Sequence, residues 1–186
     1  VLYRADLFTV KTIKSNTFEF INLFDSNDKD KDIHYLEYRN RYVTEVELPI
    51  NMSSSFMLFR NKVFNDKSYF IDNRNNNLDG VFDTVAMFFN CTFEVGFCLP
   101  DLINTKNSVN MNGMFYGALF KDDSYLPNGF STENVISMSY MFHRAELHKN
   151  FSLPIGFNTK NVIDMSKMFK DASMNGNSIF KTGCLI

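Results

Sequence analysis

The stretch LPNGFSTENVISMSYMFHRA (126–145) recurs immediately downstream as LPIGFNTKNVIDMSKMFKDA (153–172). Over the 17 positions that start at Gly129 and at Gly156, 11 are identical, far beyond chance. The same step leads back to LINTKNSVNMNGMFYGA (102–118), which keeps the Thr, the Asn, both Met, the Phe and the Ala. A further step reaches GVFDTVAMFFNC (80–91), where Cys91 takes the Ala column. The first copy is degraded: LFRNKVFNDKSYF (58–70) overlays MFYGALFKDDSYL (114–126), and its interval to the next copy is slightly longer than the others. The two extra residues of that interval are assigned to the polar stretch DNRNNN (72–77), since a loop absorbs an insertion at small cost. Five copies at such a period are the signature of a stacked-repeat architecture.

The columns of the repeat predict its two halves. Val162, Met165, Met168, Phe169 and Ala172 fall at steps of three, three, one and three, which places them on one face of a helix, with Asn161 as its N-cap. Ala or Cys at the end of that face lets the next layer approach closely. The other half reads as a strand: Phe93, Phe120, Leu147 and Met174 recur at the period, followed by a second apolar column of Leu99, Leu126, Leu153 and Phe180. Leu-Pro at 99, 126 and 153 then closes the strand, because proline cannot donate to a continuing ladder. A unit of one strand and one short helix cannot bury its apolar face alone, so neighbours must share a core. The expected fold is α/β: a short leucine-rich-repeat-type solenoid of about five 27-residue units, behind a strand-containing N-terminal cap.

The pattern at 126–145 and 153–172 resembles the BspA-like leucine-rich repeat, whose units carry a Val-x-x-Met-x-x-Met-Phe core. The resemblance covers residues 78–180 well and 48–77 weakly. It implies a surface-associated adhesin or interaction module rather than a catalyst, placed at a cell or virion surface.

Residues 1–47 do not fit the repeat and form the expected cap or docking segment, with the array running over 48–186. LFTVKTI, FEFINLF and YVTEVELPI (42–50) read as strands, the last leading into the first unit. The second reading of this segment makes the protein a structural building block held in a multi-protein assembly, such as a virus particle or surface appendage, by strand addition.

Charge narrows the partners. A formal net charge of −2 with both signs mixed lacks the basic footprint of a nucleic-acid binder. No apolar run is long enough to cross a bilayer, and the opening VLYRADLFTV lacks the apolar segment of a secretory signal. The expected partner is a protein or a glycan.

No residue pattern predicts catalysis, a cofactor or a metal. There is no nucleophile elbow, phosphate-cradling glycine loop or zinc-helix motif. In SNDKDKDIHYLE (26–37) the acidic residues alternate, but only Ile33 and Glu37 fit a calcium loop counted from Ser26, so it reads as a solvated loop. His143 and His148 read as surface histidines, Cys91, Cys98 and Cys184 as buried or incidental thiols, and the Met and Phe columns as core. Contacts to a partner are instead expected on the outward column beside the core leucine: Tyr69, Cys98, Tyr125, Ser152 and Ile179, with Tyr69, Tyr125 and Ser152 as the binding residues.

Overall fold

A computed structural model describes residues 12–14, 43, 45–47, 55–70, 83–101, 103 and 105–175. Its spine is a parallel sheet of two-residue strands: β3 (Val63–Phe64), β5 (Thr92–Phe93), β6 (Leu119–Phe120), β7 (Glu146–Leu147) and β8 (Ser173–Met174), hydrogen-bonded in that order. The register restates the repeat. Val63 pairs with Thr92 across the lengthened first interval, and every later pairing keeps the regular period: Thr92 with Leu119, Leu119 with Glu146, Glu146 with Ser173. Two flanking rows of parallel bridges keep the same step, Asp83–Asn110–Ser137–Asp164 and Cys98–Tyr125. Each copy is thus one layer, and the layers lie on one another about 4.8 Å apart.

No helix occurs among the described residues, so the expected helical half of the repeat is corrected. That half is two consecutive tight turns. The Met141 N–H donates to the Met138 carbonyl at 3.2 Å and the Ala145 N–H to the Phe142 carbonyl at 3.1 Å. The third residues of these turns, Tyr140 and Arg144, have φ of 58° and 56°, as a type II turn requires. The arrangement recurs at Ala86 and Asn90, at Gly113 and Gly117, and at Lys167 and Asp171. A left-handed residue at every fourth position stops helix propagation. The His143 N–H adds an overlapping turn bond to the Tyr140 carbonyl at 3.0 Å, and the N–H groups that alternate with these bond between layers: Phe88 to the Met114 carbonyl at 2.9 Å, Phe115 to Met141 at 2.9 Å, Phe142 to Met168 at 2.8 Å.

Turns and strands point their donors in opposite directions. The N–H groups of Tyr140, Phe142 and Arg144 in the turns reach the following layer, whereas those at the strands reach the preceding one, as in Glu146 to the Ala118 carbonyl at 2.8 Å and Ser173 to the Ala145 carbonyl at 2.9 Å. Buried backbone groups must be paired, and here the pairing welds layer to layer rather than residue to residue within an element.

Asn161 is not a helix cap. Its side-chain amide donates to the Glu133 carbonyl of the preceding layer at 2.7 Å, and Asn134 donates likewise to the Lys106 carbonyl at 2.9 Å. Thr105 and Thr132, both buried, do the same in the other direction, their hydroxyls donating to the carbonyls of Ser131 at 2.7 Å and Asn158 at 2.6 Å. The sheet half is also shorter than expected: after each two-residue strand the chain turns, with Gly96, Asp123 and Asn150 at φ of 73°, 59° and 66°. The prolines open turns as well as ending strand pairing, the N–H groups of Ile103, Phe130 and Phe157 bonding to the carbonyls of Pro100, Pro127 and Pro154.

The core follows the columns. Phe59, Phe88, Phe115 and Phe142 are fully buried, and with Phe169 they form one stack with successive centroids 5.2, 5.4, 5.3 and 5.2 Å apart. Met111, Met114, Met138 and Met141 are fully buried beside it, so methionine here is packing. Phe93, Phe120 and Leu147 are buried as expected. Met174 departs from its column at 40 % exposure, and in its layer only Met168 among Val162, Met165, Met168 and Phe169 is buried outright.

At the other end, β1 (Thr12–Lys14) pairs antiparallel with β2 (Glu45–Glu47), which pairs parallel with β4 (Tyr69–Phe70). Val43 and Val46 join the core, and the Val43 N–H donates to the Val63 carbonyl at 2.9 Å. The segment 43–47 thus lies along the first layer. The FEFINLF strand, the 26–37 loop, the DNRNNN insertion, Phe180, Ile179 and Cys184 fall outside the described residues.

Candidate functional site

The outward column splits in two. Tyr125 is half exposed and bridged to Cys98 in the flanking row, and Ser152 stands one period on, partly buried. Tyr69 is similarly exposed but sits in β4, where its backbone pairs with Glu45 rather than with the Cys98 row. The structure thus brings Cys98 and Tyr125 together and gives Tyr69 a different setting.

The two cysteines differ. Cys91 is buried with its thiol 2.8 Å from the Phe59 carbonyl, and loss of hydration pushes it far above the ordinary thiol range. Cys98 is only partly buried; burial raises it too, while its bond to Tyr125 acts the other way. That same bond holds the Tyr125 phenol above its usual value. Lys62 acts on Cys91 in the opposite sense without offsetting burial, and Cys98 has the acid Asp101 rather than a cation acting on it, so neither is set up as a reactive thiolate.

His143 is not on the surface. It is buried, with its ring edge-on to Tyr116 at 4.7 Å and to Tyr140 at 5.4 Å, and its Nδ1 lacks a hydrogen-bond partner among the described residues. It continues an outer row in which the Arg60 guanidinium lies 5.5 Å over the Phe89 ring and Phe89 stacks on Tyr116 at 4.8 Å. His148 is partly exposed beside Asp122 at 3.6 Å and Glu146 at 3.8 Å. Among the described residues no group of three His, Cys, Asp or Glu side chains could hold a metal ion.

The turn half carries exposed residues that the column reading overlooked. Lys167 donates from Nζ to the Tyr140 hydroxyl at 2.8 Å while lying 5.0 Å over the Tyr140 ring. Arg144, Lys170 and Asp171 stand exposed beside this pair. The signal in the sequence is that large polar or charged side chains stand at the positions held by Ala86, Asn90, Gly113 and Gly117 in the two preceding copies, where the first copy has Met57 and Asn61. At the corner before Lys167, the Ser166 N–H donates to Asp164 at 2.9 Å, and such bonds hold that carboxyl below its ordinary value.

No helix of the described residues is long and apolar enough to cross a membrane. No curated protein matches the chain. No solved structure matches it either. The family described as "Mycoplasma protein of unknown function, DUF285" matches residues 83–181, a little over half of the sequence, and the matched span covers the layers whose columns are most regular. The chain therefore belongs to the DUF285 family, which is related to the BspA-like repeat proteins.

Proposed function

We propose that the protein is a non-catalytic interaction module, built as a short solenoid and displayed at a cell or virion surface, where its outward columns recognise a protein or a glycan. The observation that carries this reading is the contrast between columns. Inward positions repeat in kind from layer to layer, as in the five-ring stack from Phe59 to Phe169. Outward positions vary, and Tyr69 and Tyr125 place half-exposed phenol rings among them. A scaffold of interchangeable layers with individual surfaces suits recognition, since tyrosine gives contact area and a polar tip at low entropic cost.

The building-block reading, with docking through residues 1–47, has less support. Glu45–Glu47 already occupies the edge of Tyr69–Phe70, a use of that segment as cover within the chain.

Protease treatment of intact cells or particles that carry the protein tests the surface placement. The protein should be degraded before lysis; protection until lysis contradicts it. Tyr125→Ala then tests the face: retention on the recognised surface should fall while the melting temperature stays put, and unchanged retention rejects this column as the contact.

A further inference from the structure

The left-handed positions of the turn half hold the most informative departure from regularity. In the second and third layers these positions are filled by Ala86, Asn90, Gly113 and Gly117. In the fourth and fifth they carry Tyr140, Arg144, Lys167 and Asp171, at φ of 58°, 56°, 56° and 58°. A bulky side chain in this conformation costs roughly 1–2 kcal/mol relative to glycine. Three of the four are a phenol and two cations, and Lys170 adds a third cation beside them. Arg144, Lys167 and Lys170 are all exposed along the turns of these two layers, with the acid Asp171 next to Lys170, in a chain whose net charge is −2. Among the described residues no carboxylate pairs with Arg144 or Lys170.

We infer that this surface, formed by Tyr140, Arg144, Lys167 and Lys170, docks an acidic, extended polypeptide segment rich in Glu or Asp. This rests on the recognition role proposed above and names the chemistry of a partner for a second face. Arginine and lysine two layers deep present donors to successive carboxylates, and arginine takes them in a bidentate fork. A polypeptide fits better than a sugar because the ring faces are already occupied: Lys167 covers Tyr140, and Phe89 and Tyr116 cover each other. Carbohydrate recognition by stacking needs an open face.

The test is anisotropy of a dye-labelled deca-glutamate peptide with the full chain at low salt. The parent should bind, and added salt should weaken binding because the contacts are exposed. The triple variant Arg144→Gly, Lys167→Gly, Lys170→Ala should bind roughly tenfold or more weakly, at about two- to fivefold per cation. Its melting temperature should match or exceed the parent's, because glycine accepts the left-handed backbone without strain. Lys149→Ala, on the sheet half, should bind as the parent does. The inference is overturned if the parent does not bind, if the triple variant binds unchanged, or if a sulfated oligosaccharide competes tenfold better through the same three cations. Any of these with the protein still accessible on intact cells leaves the recognition role standing and removes only this docking surface.

Discussion

Phe142 and Phe169 share a column, yet they do not share an environment. Phe142 is fully buried between the rings of Phe115 and Phe169, whereas Phe169 is only partly buried in the last described layer. Phe142→Ala should cost about 3–5 kcal/mol, and Phe169→Ala distinctly less, measured as the difference in denaturant midpoint at a common slope. Equal losses would mean that the last layer is as closed as the fourth. Gly117 gives a second check. Its φ is 63°, and a Cβ there would meet the Asn90 Oδ1 at 2.1 Å. The Asn90 side chain can swing aside, so Gly117→Ala should destabilise by about 1–2 kcal/mol, mostly through the backbone. Cys91 supplies a third: buried and held protonated, it should resist thiol reagents in the folded protein and react only on unfolding, while Cys98 reacts first. Rapid native labelling of Cys91 would contradict its place in the core.

At the scale of the element, inward and outward positions were legible while the backbone that presents them was not. Val135, Met138, Met141, Phe142 and Ala145 are all buried, as the spacing of the columns demands. Helical periodicity reports that side chains return to one side every three or four residues, and two successive turns with left-handed third residues do the same. What separates the two is local chemistry. Glycine at both 113 and 117, with Asn90 in the equivalent place one layer earlier, is poor helix sequence and good turn sequence. Asn161 departs from its expected role for a related reason: asparagine serves a helix start and an interlayer bond equally well, and only the position of Glu133 decides. If the Asn134 and Asn161 amides join layers, replacing both with Ala should destabilise by about 1–3 kcal/mol in total, at the usual worth of a hydrogen bond. A loss within error of zero, read from chemical denaturation, would show these bonds to be incidental.

For the whole molecule, the repeat interval alone set the stacking order, and even the lengthened first interval reappears as the pairing of Val63 with Thr92. The candidate site was less legible. The phenol of Tyr125 lies where an outward column should, but Tyr69 belongs to a different pairing because its backbone pairs with Glu45 of β2, and His143 is buried against tyrosines from its own and the preceding layer. Sequence columns carry no information about what packs across an outer surface. The central claim is that layers bond to layers through the turns, and through-hydrogen-bond scalar coupling in solution NMR reads this directly. The coupling should connect the Phe142 N–H with the carbonyl of Met168, its acceptor at 2.8 Å in the next layer. A coupling instead to the carbonyl of Met138, four residues back as in an α-helix, would contradict it.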